Sequence, residues 1–190
     1  MPASPLNDQG NTALWRPLLL RGLEEDGWLQ DWTTLGSVPA DAGEATARWV
    51  AKAPGVWCAS GLQAAIALVS PAELGGAVTA TSLVADGQSA VVGQDLARWK
   101  GPARLLLALE RPALNLAQYT CGIASATARL VAQVEKAARA AGCAAPRIVP
   151  TRKTLPHYRD LALFAVRAGG GHPHRVNLAG GVLIKENHVA

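Results

Sequence analysis

Cysteine is scarce and unpaired in this chain. Cys58, Cys121 and Cys143 are odd in number and form no Cys-x-x-Cys pair. This argues against a disulfide framework and fits a reducing compartment, with each thiol a small core side chain. Tyr and Phe are also few, at two and one, so stacking platforms for nucleic acid bases are poorly supplied. No long apolar run suits a membrane. Residues 53–72 carry no charge, but Pro54, Gly55, Ser60, Gly61, Gln63 and Pro71 interrupt them. The start, MPASPLNDQGNTALWRPLLL, has no basic stretch ahead of an apolar one, and Arg16 and Pro17 break its hydrophobic patch. The expectation is a soluble cytoplasmic protein with neither a nucleic-acid nor a membrane partner. Gly-x-Ser-x-Gly, a phosphate loop of the GxxxxGK[ST] kind, and any Cys close to a His are all missing, which argues against a covalent nucleophile. No internal repeat stands out.

What is present is enough apolar sequence for a core, at 49% of 190 residues, and a charge that is unevenly divided. Residues 1–150 balance 12 Lys and Arg against 12 Asp and Glu. Residues 151–190 hold Arg152, Lys153, Arg159, Arg167, Arg175 and Lys185 against Asp160 and Glu186, so the whole net charge of +4 lies there. Such a concentration points to an anionic ligand. Arg159 and Arg167 also fit a solvated helix face.

Hydrophobic periodicity gives the elements. Asn11 or Thr12 can cap a first helix with Leu14, Leu18 and Leu19 inward. EATARWVAK alternates as a half-buried strand, VWCA extends, and SGLQAAIALV reads as a helix capped by Ser60. AVTATSLV is a strand ending at the Asp86-Gly87 turn, DLARWKG another, and Pro102 opens a helix. The Ala-rich stretch after Arg111 is helical and stops at Gly142. RIV and GVLI, with HYRDLALFAVRA between them, read as a parallel β–α–β unit. The fold class is therefore α/β, with an α+β part over 1–113 and an α/β part over 114–190.

Thr-Arg-Lys at 151–153 follows RIV, and Lys-Glu-Asn at 185–187 follows GVLI. Ligands bind at that edge of parallel sheets, so Arg152, Lys153, Arg175 and Lys185 are expected around one hollow. Arg supplies a planar fork for carboxylate or phosphate, and Lys a compact charge. His174 reads as a hydrogen-bond donor to an anion. His172, His174 and His188 have no supporting Cys, and no metal ligand is assigned. The triple glycine 169–171 reads as a helix cap and turn that also permits close approach of backbone.

Four stretches carry a family resemblance: ERPALNLAQYTCGIASATARL, TRKTLP, AVRAGGGHPHRVNL and VLIKENH. They resemble quinolinate phosphoribosyltransferase, and LVADGQSAVVGQDLARWKGPARLLLALERPALN is similar to the middle of that family's N-terminal domain. The resemblance implies an N-terminal sandwich, here 1–113, followed by the start of an open α/β barrel, here 114–190, of the type II phosphoribosyltransferases. It implies a pentosyltransferase that joins quinolinate to phosphoribosyl diphosphate with decarboxylation. The products are nicotinate mononucleotide, pyrophosphate and CO2, in NAD biosynthesis, with Mg2+ as cofactor. It further implies a homodimer or higher assembly with shared active sites.

Residue by residue, it implies that Arg111 is donated across the dimer and that Thr151, Arg152, Lys153, His174, Arg175 and Lys185 bind substrate. Lys153 and Lys185 take the catalytic roles. The family continues past KENH, so a fragment is expected, with the magnesium ligands beyond residue 190. Two other expectations stand beside this one: a divergent pyrophosphorylase homologue associated with molybdenum transport, and a non-catalytic remnant that pairs with intact subunits.

Overall fold

The computed structural model describes residues 8–69, 76–172 and 174–189, with side chains from residue 12 onward. Helix α1 (Asp8–Asp26) includes Asn11 and Thr12, so neither caps it. Its inner stripe is Trp15, Leu19 and Leu23, spaced by four and at most 1% exposed, rather than Leu14 and Leu18, which are only partly buried. Burial on this scale contributes about 1.5–3 kcal/mol for each such side chain. A short turn (Trp28–Gln30) leads to α2 (Trp32–Ser37), where Asp31 accepts from the Thr34 amide at 3.0 Å and caps the helix.

The alternating stretch at 44–50 is the strand it was expected to be. β1 (Glu44–Val50) pairs antiparallel with β5 (Asp95–Pro102), which pairs antiparallel with β3 (Thr79–Ser82), in the order β1-β5-β3. The register Ala47↔Trp99 and Trp49↔Ala97 puts the large rings on the inner face. There Trp49 and Trp99 sit 5.0 Å apart, and Trp57 meets Trp49 edge-on at 6.2 Å. Two of the three ring N–H groups find partners: Trp57 Nε1 donates to Ser82 Oγ at 2.9 Å and Trp99 Nε1 to Gln63 Oε1 at 2.5 Å. β2 (Gly55–Val56) and β4 (Ser89–Ala90) form a separate two-stranded ladder.

Helix α3 (Ser60–Leu68) corrects one expectation. Ser60 is its first residue rather than its cap, and the Ser60 amide is taken at 2.9 Å by the Asp86 carboxylate. Ser60 Oγ instead faces Ser82 and the Val84 carbonyl. The loop at Asp86-Gly87, with Gly87 at φ +87°, therefore closes onto the helix start as well as turning the chain.

Pro102 does precede a helix, but that helix is longer than its sequence suggests. α4 (Ala103–Ala140) runs 38 residues without a break through Pro112 and Gly122, and the expected junction at 113 lies inside it. Its buried stripe includes Leu105, Leu109, Pro112, Leu116, Thr120, Ala124 and Thr127, each three or four positions from the last. The first half covers the sheet, and the middle receives α5 (Arg159–Ala168). Gly142 ends it at φ +66°, with Gly142 N to Arg139 O and Cys143 N to Ala138 O closing a Schellman cap.

The expected β–α–β unit is only partly there. α5 forms, but residues 147–149 and 181–184 are not strands. A strand needs a neighbour to take its amides and carbonyls. Among the described residues the one backbone hydrogen bond along 147–149 is that from the His172 amide to Ile148 O, and Val182 is 92% exposed.

Candidate active site

The loop carrying Thr151, Arg152 and Lys153 is tethered to α4 by aromatic contact. Tyr158 packs edge-on against Tyr119, with centroids 5.4 Å apart. Burial, then the Tyr158 neighbour, raises the Tyr119 hydroxyl above its usual pKa. Ahead of Tyr158 the chain turns through Pro156 and His157, and Tyr158 N returns to Leu155 O at 3.2 Å. His157 has φ +65°, the backbone that a type II turn demands at its third position. Arg159 Nε then reaches back to Thr154 Oγ1 at 3.2 Å. Within the loop Thr154 N donates to Arg152 O, and Lys153 N to Thr151 Oγ1. Thr151 and Lys153 are exposed and Arg152 is half-buried.

The second cationic segment leaves α5 through the three glycines. Gly170 holds φ +85°, and the amides of Gly170 and Gly171 close on Arg167 O and Val166 O, so the cap role is real. Gly169 and Gly171 do something else. A Cβ on either would overlap Ala124 O, Thr127 or Val166, so these positions let the chain lie directly on α4. His172 N then donates to Ile148 O at 2.8 Å. This single bond brings the segment before Thr151 alongside the one before His174. His174 is exposed, and Arg175 is half-buried with Nη2 on Leu178 O at 3.2 Å. Lys185 is exposed in a turn whose amide donates to His188 Nδ1. Arg111 is exposed on α4 beside Pro112.

The structure thus draws the 151–153 and 174–175 segments toward each other by their backbones. It does not join the side chains of Arg111, Arg152, Lys153, His174, Arg175 and Lys185: among the described residues no hydrogen bond or ion pair links any two of them. A sizeable hollow lies elsewhere. It holds about 870 Å³ along β1 and β2 and the facing side of α4, with Trp49, Leu106, Leu114, Gln118, Cys121 and Ser125 among its walls. Its lining is mostly apolar. Cys121, its one thiol, is pushed up to about 11 by burial, which makes it a poor nucleophile at neutral pH. Arg48, Lys52 and Glu110 are among its lining residues, but none of the loop cations Arg152, Lys153, Arg175 and Lys185 is, so size alone does not make it the chemical site.

Arg152, Arg167 and Arg175 share one feature. The Nε of each is shielded from solvent and donates to nothing among the described residues. Shielded donors normally have partners, and guanidinium suits carboxylate and phosphate. Arg167, half-buried with its Nε shielded, is therefore only in part the solvated side chain its helix position suggested; its place one residue before Ala168 and the glycines was the available sign. The reading from sequence also passed over Tyr119, which an i, i+4 scan of a helix cannot pair with a residue 39 positions on. For Mg2+ the residues present do not fit: among those described, no three His, Cys, Asp or Glu gather closely enough to hold a metal.

Fold and charge together define an α/β protein whose basic loops, seated on one long helix, suit a small ligand bearing several negative charges. Comparison with known proteins agrees. The models "Quinolinate phosphoribosyl transferase, N-terminal domain" and "C-terminal domain" match residues 31–121 and 123–190 in order. The nicotinate-nucleotide pyrophosphorylase [carboxylating] of Mycobacterium leprae is 38% identical over 92% of this chain and 58% of its own length. The Homo sapiens protein of that name is 32% identical over 97% of this chain and 59% of its own. Among solved structures, the nicotinate-nucleotide pyrophosphorylase of Francisella tularensis superposes with a TM-score of 0.78 at 27% identity, over 94% of this chain and 59% of that one. NadC from Streptococcus pyogenes gives 0.75 at 32%, over 90% and 57%.

This chain belongs to the quinolinate phosphoribosyl transferase family. It spans less than three fifths of the length of these relatives.

Proposed function

We propose that the protein transfers the phosphoribosyl group of phosphoribosyl diphosphate to quinolinate and releases CO2, giving nicotinate mononucleotide and pyrophosphate. The observation that carries this reading is the pair Arg152 and Arg175. Both are half-buried with shielded, unpaired Nε atoms, on segments held together by the His172–Ile148 bond, in a chain of this family. Quinolinate has two ring carboxylates, and each guanidinium fork matches one.

The chemistry asks for little else from side chains. The pyridine nitrogen is the nucleophile; its lone pair forms the bond to the ribose C1, and the bond from C1 to pyrophosphate breaks with its electrons leaving on oxygen. The ring nitrogen is now cationic, which favours breaking the bond to the adjacent carboxylate. CO2 departs, and the electron pair left on the ring carbon takes a proton from solvent. Arg152, Arg175 and His174 would hold the carboxylates and align the nitrogen. Lys153 and Lys185 would stabilise negative charge on the departing diphosphate.

We place Arg111 in the site of a second subunit of a homodimer, because it stands exposed on α4 and, among the described residues, no hydrogen bond or ion pair joins it to the 151–153 loop. We place the protein in the cytoplasm, in keeping with three free thiols and with the absence, among the described residues, of a helix long and apolar enough to cross a membrane. The molybdenum-associated alternative draws no support from the named relatives. The test is chromatographic detection of nicotinate mononucleotide from quinolinate and phosphoribosyl diphosphate. Product that disappears in Arg152→Ala supports the proposal, and no product from folded, native protein overturns it.

A further inference from the structure

We propose that Tyr119 is a positioning residue for the Thr151–Lys153 loop, acting through the ring of Tyr158. The proposal rests on the reading that this loop binds quinolinate. An unbroken line of contacts leads from one to the other. The Tyr119 ring meets Tyr158 at 5.4 Å and 76°. Tyr158 is the residue from which α5 starts, its carbonyl accepting from the Ala162 amide at 2.9 Å and its own amide closing the Pro156-His157 turn. Next, Arg159 Nε binds Thr154 Oγ1, Thr154 N binds Arg152 O, and Lys153 N binds Thr151 Oγ1.

Each step is short and local, so moving the Tyr158 ring moves the start of α5 and, through Arg159, the loop. Tyr119 is the one anchor in this line that belongs to α4, and α4 is fixed by the sandwich core. The Tyr119 hydroxyl has no hydrogen bond among the described residues, so the contact is between rings alone. Phenylalanine should therefore serve as well, while a side chain without a ring should not. Charge, by contrast, plays no part: removing Tyr119 leaves every cation of the loop in place.

Two measurements on the native protein test this with Tyr119→Phe, Tyr119→Leu, Tyr119→Ala, Arg152→Ala and the Tyr119→Leu/Arg152→Ala double variant. The leucine variant keeps apolar bulk on α4 should alanine fail to fold. Amide hydrogen exchange at Lys153 and Thr154 should quicken about 3- to 10-fold in Tyr119→Leu and stay near wild type in Tyr119→Phe, as the energy of an aromatic pair implies. Calorimetric affinity for quinolinate should fall by a similar factor in Tyr119→Leu, and the same change should have little effect once Arg152 is gone. Unchanged exchange in Tyr119→Leu, or losses that multiply fully in the double variant, overturns the proposal. Should wild type bind no quinolinate, the reading of the loop's ligand fails, and the exchange rates alone then uphold or overturn the positioning role.

Discussion

The His172 amide donates to the Ile148 carbonyl at 2.8 Å, across 24 residues of chain. Only four positions separate Ile148 from Arg152, and three separate His172 from Arg175. One backbone bond thus sets the separation of two cationic segments that belong to different loops. Because the donor is main chain, His172→Ala should be silent, whereas His172→Pro removes the N–H and should cost about 0.5–1.5 kcal/mol or more. Urea denaturation and quinolinate affinity should both register the proline and neither the alanine.

The glycines after α5 make a prediction of opposite sign to a glycine within α4. A methyl group at Gly169 would overlap Ala124 O and Thr127, and at Gly171 it would overlap Val166. Gly169→Ala and Gly171→Ala should each destabilise by about 1–3 kcal/mol through overpacking. Gly122 is exposed in mid-helix with nothing within 4 Å of an added Cβ. Gly122→Ala should stabilise by about 0.5–1 kcal/mol. Thermal melting of the three variants checks both directions.

Thr120 is buried on α4 and its hydroxyl lies 2.6 Å from the Cys58 carbonyl, joining the helix to the stretch before α3. Thr120→Val keeps the shape and strands that carbonyl, with an expected loss of about 1–3 kcal/mol. Thr120→Ser should lose less, since the bond survives. Chemical denaturation of the pair separates the hydrogen bond from the packing.

The three thiols should differ in reactivity. Burial raises Cys58 far above its ordinary 9.0 and Cys121 to about 11, while Cys143 is exposed. A thiol reagent at pH 8 should label Cys143 at once and the other two only on unfolding. The pH dependence follows. With the folded pKa raised, stability from Cys121 is complete below pH 9.0 and is lost as pH rises through about 11. A melting temperature that rises over that interval would contradict the assignment.

Much of the sandwich was legible because its signals are local. The alternation from Glu44 to Val50 specifies a strand with one buried face, and Pro102 marks the start of α4. What escaped depends on distant partners. RIV and GVLI have strand composition, yet they remain irregular where no ladder forms along them. Ser60 has the composition of a cap, but Asp86, 26 residues on, supplies it. At the candidate site, residue type and segment were readable from charge and motif. The backbone bond from His172 to Ile148 and the ring of Tyr119 were not, since neither leaves a periodic trace. The expected common hollow for Arg152, Arg175 and Lys185 is likewise not formed by contacts among the described side chains.

Calorimetric titration of the native protein with quinolinate, beside Arg152→Ala and Arg175→Ala, tests the central claim most directly. The account predicts one binding event in wild type, weakened in each variant by about 1.5–3 kcal/mol, or roughly tenfold to more than a hundredfold, as loss of a charge-assisted pair requires. Absent binding, or equal affinity in all three proteins, would contradict it.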